Sequence, residues 1–181
     1  MRACRRKRYS PLRRVRYRRG MRVLAVDPGF DRLGLAVVEG DPSRPTHVWS
    51  ECVTPAKGAP EARLAAVSAA IEKALAEYRP DILAIEKLYF TKNVTTALGV
   101  AEARGVVLAA AGSARVPVCE FSPQEVKLAV TGHGAADKKA VESMVPKLIA
   151  LPPKKRRDDE FDAIALGIAA LSRSPSLAGG Q

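Results

Sequence analysis

Residues 22–29 read RVLAVDPG. Five mostly apolar residues run into Asp27-Pro28-Gly29, the composition of a buried strand that enters a tight turn. This strand carries a carboxylate at its very end. Working outward, residues 33–38 and 48–53 read as two further strands. Pro42, Ser43 and Pro45 mark the link between them, and short turn-rich links make the three a meander. A second decisive stretch is ILAIE at 82–86. Its four apolar residues, 82–85, read as a central strand covered on both faces, and Glu86 follows as Asp27 follows the first strand.

Between these strands lies a helix over 61–78, with Leu64, Val67, Ile71, Ala74, Leu75 and Tyr78 at helical spacing and Pro80-Asp81 behind it. A second helix spans about 94–111, and residues 116–121 form a fifth strand. Ser122-Pro123-Gln124-Glu125 reads as a capping box, with Ser122 at the N-cap and proline in the first turn, opening a helix that stops near Gly132. Another helix begins after Asp137, with Val141, Met144, Val145, Leu148 and Ile149 on one face and Pro146 placed to kink it. The last helix starts near Asp158 and is expected to bury Phe161, Ile164, Ala165 and Ile168. The order predicts one α/β domain over 21–173, a five-stranded mixed sheet with helices on both faces.

Charge is unevenly spread. The chain has a formal net charge of +11 and a pI near 10.0. Ten of its 30 Lys and Arg fall in residues 1–20, which hold no acid, leaving 20 basic against 19 acidic residues in the rest. Residues 1–20 read as a disordered basic arm, and Met21, directly before the first strand, reads as the natural start. Residues 174–181 read as a flexible tail. Any affinity of the nearly neutral body for a polyanion must come from a local patch. The longest apolar tract, 106–112, is far short of the roughly 18 residues a membrane helix needs. Cys4, Cys52 and Cys119 are odd in number and form no ligand pattern, which fits inert thiols in a reducing cytoplasm; no zinc finger can be built with His47 and His133.

If the strands ending in Asp27 and Glu86 are parallel neighbours, both carboxylates emerge at one sheet edge, where open α/β sheets bind ligands. Asp159 and Asp162 lie three apart on a helix and share a face; Asp158, four from Asp162, shares it equally, so spacing leaves that choice open. Converging carboxylates repel and require cations. An all-oxygen set suits Mg²⁺ or Mn²⁺, and two such ions can activate a water and stabilise a leaving oxygen in phosphodiester hydrolysis. Taken singly these acids have ordinary explanations: a turn aspartate at 27, a strand end at 86, a helix N-terminus at 158–162.

Several stretches occur together in one order: AVDPG around Asp27, AIEKLYFTKN around Glu86, ALGVAEARGV at 97–106, SPQEVKLAVTGHGAADK at 122–138 and DDEFDAIALGIA at 158–169. Through them residues 22–181 resemble the RuvC family of Holliday-junction resolvases. The resemblance implies a ribonuclease-H-like fold, a homodimer, paired symmetric nicks in four-way junction DNA, two Mg²⁺ or Mn²⁺ ions per site, and cooperation with the RuvA–RuvB branch-migration complex. It carries catalytic and metal-binding roles onto Asp27, Glu86, Asp159 and Asp162, and prefers Asp159 over Asp158. It places Tyr89 where an aromatic stacks on a junction base, and Lys92, Arg104, Lys127 and Lys138 among DNA contacts. His133 falls in a loop beside them.

Helix 94–111, with Gly99, Ala101, Gly105 and Ala109, is the candidate dimer interface. The sequence departs from the family at Glu160-Phe161, where small residues are common. Phe161 is expected to turn inward, and Glu160 to add a charge that affects metal choice. Rival readings are another ribonuclease-H-like nuclease acting on hybrids or flaps, and a non-catalytic junction binder. An actin-like ATPase needs two domains and Gly-rich phosphate loops that this chain lacks.

Overall fold

The computed structural model describes residues 20–88 and 94–173. Nearly all of the basic arm, the segment with Tyr89 and Lys92, and the 174–181 tail lie outside the described residues. The elements run β1 (Met21–Asp27), β2 (Leu33–Asp41), β3 (Arg44–Val53), α1 (Pro60–Tyr78), β4 (Ile82–Glu86), α2 (Val94–Ser113), β5 (Val118–Phe121), α3 (Pro123–Thr131), α4 (Lys138–Leu148) and α5 (Asp158–Ser172). The sheet order is β3-β2-β1-β4-β5. β1, β2 and β3 pair antiparallel as a meander, whereas β4 joins β1, and β5 joins β4, in parallel.

The alternation along β1 divides the core. Val23 and Ala25 face one layer with Ala36, Val38, Ile82 and Ala84, under α3, α4 and α5. Leu24 and Val26 face the other with Leu35, Val37, Leu83 and Ile85, under α1 and α2. Each fully buried Val, Leu or Ile contributes about 1.5–3 kcal/mol. α5 sits very close to the sheet because Gly167 has no side chain: a Cβ there would come within 2.6 Å of a Val38 methyl.

Three details differ from the sequence reading. Pro45 belongs to β3, and the turn between β2 and β3 is tighter than expected. The Asp41 carboxylate closes it by accepting from the backbone N–H groups of Ser43 and Arg44 at 2.9 and 3.1 Å. A proline is tolerated because β3 is an edge strand. Leu148 is exposed, while Val141, Val145 and Ile149 are buried. On α5 the inward stripe is 160, 163, 164, 167, 168 and 171, so Glu160 is buried and Phe161 only half-buried. Elsewhere the capping box at Ser122 and Glu125 is formed in both directions, and Asp137 caps α4.

Candidate active site

The parallel register pairs Val26 with Ile85, so Asp27 and Glu86, one residue further on, leave the sheet side by side at the same edge. α5 brings the other acids to that edge. Its first turn lies against β2 at Gly34, the residue that also pairs with Asp27. A Cβ at position 34 would stand 1.9 Å from the Asp159 carbonyl oxygen and 3.2 Å from the Asp27 Cβ. Gly34 therefore sets how closely the start of α5 approaches Asp27. Glycine inside a strand is a signal of such close approach, and it is the one that sequence reasoning passed over.

The electrostatics follow from this convergence. Burial pushes the Asp27 carboxyl from 3.8 up to about 7, and Asp162, Glu86 and Asp159 add to the rise. Burial, with Asp162 close by, also raises Glu86, although Lys127 pulls it back. Asp162 is raised by burial and drawn down by Lys138. Cations already attend the outer acids: Lys138 Nζ lies 3.2 Å from Asp162 and 3.5 Å from Asp158, and Arg32 Nε lies 3.3 Å from Asp159. Asp158 is mostly exposed, whereas Asp159 is largely covered. The Cys52 thiol, 3.7 Å from Asp159, is raised by burial and by that aspartate, so it stays protonated.

The donors at this edge are carboxylate oxygens of like charge, a set suited in type and charge to a hard divalent cation. Among the described residues, no three acid, His or Cys side chains already stand as a closed cage. Arg32 and Lys138 hold the outer carboxylates in its place.

The family model for the crossover junction endodeoxyribonuclease RuvC matches residues 23–170. The chain belongs to this family. A crossover junction endodeoxyribonuclease RuvC from Parafrankia sp. is 45% identical over 160 residues, covering 87% of this chain and 90% of the relative. One from Thermomicrobium roseum is 43% identical over 148 residues, covering 82% and 91%. The structure of T. thermophilus RuvC in complex with a Holliday junction substrate superposes with a TM-score of 0.77 at 32% identity, covering 82% of this chain and 92% of that one. The five-stranded sheet is thus the ribonuclease-H-like fold of RuvC, and the family is one of metal-dependent nucleases.

The remaining residues singled out from the RuvC resemblance fall in different settings. Lys127, on α3, reaches Glu86 electrostatically. Arg104 is largely covered: it pairs with Glu120 at 2.6 Å and its Nε points at the Glu86 carbonyl, 3.5 Å away. His133 lies in the exposed turn after α3, where its backbone N–H donates to Thr131. Glu160 does not join the acid cluster. Its Oε1 accepts from Ser50 Oγ at 2.6 Å and Lys154 Nζ at 3.0 Å, and Arg156 Nε lies 3.2 Å away. The expected effect of Glu160 on the metal is therefore replaced by a structural role in fastening the segment before α5 to β3. Among the described residues, no helix is long and apolar enough to cross a membrane.

Proposed function

We propose that this protein resolves four-way DNA junctions by paired symmetric nicks, in recombination and repair, with Asp27, Glu86, Asp159 and Asp162 as the metal-binding and catalytic carboxylates. The observation that carries the reading is Asp27: a partly buried acid at a sheet edge, its carboxyl raised by burial and by three other acids, in a chain of the RuvC family. The T. thermophilus relative is seen on a Holliday junction, which supports the same class of DNA here.

When bound, two Mg²⁺ or Mn²⁺ ions supply a water activated for attack on phosphorus and charge stabilisation at the leaving oxygen. Asp27, between Glu86 on β4 and the acids of α5, would hold the metal together with Glu86, Asp159 and Asp162. Asp159 is favoured over Asp158 because it is covered and acts on Asp27. Lys138 neutralises Asp162 until DNA arrives and then turns to phosphate. Lys127 and Lys92 add phosphate contacts, Tyr89 stacks on an unpaired base, and Arg104 holds the Glu86 backbone as well as reaching toward DNA. Leu98 is well exposed on α2, and Gly105 and Gly112 have open space where a side chain would stand, so α2 is the proposed homodimer face. The dimer acts in the cytoplasm with the RuvA–RuvB complex.

The test uses end-labelled four-way junctions, linear duplexes and RNA–DNA hybrids with Mg²⁺, Mn²⁺ or chelator, beside Asp162→Asn. Symmetric nicks in the junction alone, lost in chelator and in the variant while binding persists, are expected. Equal cutting of the hybrid replaces this reading with a general ribonuclease-H-like nuclease.

A further inference from the structure

We propose that Arg32, Lys155 and Arg157 form a second phosphate-binding patch, flanking the acid cluster on its β3 side. The inference rests on the nuclease reading above and adds to it a surface that the RuvC resemblance does not assign.

The sheet order separates two flanks. On one side of Asp27 stands β4 with Glu86, and beyond it Lys127 of α3. On the other stand β2 and β3, with Arg32 on the loop entering β2 and Cys52 near the end of β3. Arg32 is exposed and its Nε is 3.3 Å from Asp159; Cys52 lies 3.7 Å from the same carboxylate oxygen. Arg157 is the N-cap residue of α5, two positions before Asp159, and both Arg157 and Arg32 act electrostatically on the Cys52 thiol. Two guanidiniums therefore gather at one place on this flank.

Lys154-Lys155-Arg156-Arg157 is not a loosely solvated run of charge. Its alternate members are fixed inward: Lys154 donates to Glu160 and to the Ser50 carbonyl, each at 3.0 Å, and Arg156 is nearly fully buried against Glu160. Arg156 also donates to the Pro152 carbonyl at 3.0 Å. This anchoring leaves Lys155 and Arg157 exposed on a segment held in place. A DNA backbone that crosses four acids needs cations on both sides of the crossing. The Lys127 flank supplies one side and this patch the other. Such contacts fix the register of the strand and carry no sequence information.

The experiment titrates the full chain in chelator with a four-way junction and with linear duplex over a series of salt concentrations. The slope of log affinity against log salt reports the phosphates neutralised, about 0.9 per contact. The exposed double variant Lys155→Gln/Arg157→Gln is expected to flatten the slope by about 2, and Arg32→Gln by about 1. Arg32→Gln leaves the 154–157 segment intact, so it keeps the test decisive if the double variant folds poorly. Slopes equal to the native one on both DNAs in both variants overturn the patch and leave the nuclease reading standing. A native protein that binds duplex as tightly as junction counts against junction selectivity, while a flattened slope on duplex still supports the patch. A native protein that binds neither DNA overturns both.

Discussion

Asp27, partly buried at the end of β1, and Glu160, buried in the first turn of α5, are both acids taken out of water, and their surroundings are opposite. Glu160 is met by Ser50, Lys154 and Arg156, so its charge is matched and its lone pairs are used. Asp27 is met by Asp162, Glu86 and Asp159, so its charge is opposed. A fold selected for stability alone has no reason to gather the second set. At about 1.36 kcal/mol per pKa unit, lifting the Asp27 carboxyl from 3.8 to about 7 costs the ionised fold on the order of 4 kcal/mol. The difference separates the part of the molecule that holds α5 from the part proposed above to bind a cation.

The largest effect is expected at Asp27. Asp27→Asn should reduce junction cutting to background while raising the stability of the metal-free protein at pH 8 by on the order of 4 kcal/mol, measured by urea unfolding. The pH dependence follows the same sign. Between pH 4 and 7 the folded state keeps a proton on Asp27 that the unfolded chain releases, so stability is highest at the acid end and falls as pH rises through about 7. Glu86 and Asp162, also raised, add to this fall. His47, lowered by burial and by Arg156, works the other way and loses stability below about 6.5, its ordinary value. Asp27→Asn should therefore flatten the decline between pH 5 and 8, and an unchanged decline breaks the contrast drawn here.

Next comes Glu160. Glu160→Ala leaves the nearly buried Arg156 without its carboxylate and should cost about 3–5 kcal/mol. The double change Glu160→Met/Arg156→Met, which removes both charges, should recover most of that loss. Failure of the double variant to recover would mean that the segment before α5 is held by something other than this pair. A smaller cost is expected at Gly34. Gly34→Ala forces the Asp159 backbone away from β2, at about 1–3 kcal/mol, and should weaken metal-dependent cutting more than junction binding in chelator. Equal losses in both would place the effect in the fold rather than in the carboxylate geometry.

Much of this arrangement is legible in the sequence because it depends on local pattern. Apolar runs that end in Asp27 and Glu86 require only strand periodicity, and the Ser122 to Glu125 box is written in four adjacent residues. Helix spacing groups Asp162 with Asp158 or Asp159, and only the RuvC resemblance prefers Asp159. What was not legible depends on which stripe of α5 meets the sheet. Position 160 and position 161 exchange roles, and a charged residue goes inward because Ser50, from a distant point of the chain, meets it together with Lys154 and Arg156 of the preceding segment. The same holds for Arg32 and Lys138, whose partners are set by tertiary contact and not by spacing. Gly34 was readable in principle, as a glycine within a strand, but its partner on α5 lies 125 positions away.

The most direct test of the central claim is thermal unfolding at pH 8 with and without Mn²⁺, for the native protein and for Asp27→Asn. Mn²⁺ is expected to stabilise the native protein, by about 2.7 kcal/mol at a hundredfold excess over Kd, and to stabilise Asp27→Asn much less. Equal stabilisation of both, or none of the native protein, would contradict an acid cluster built to receive a cation.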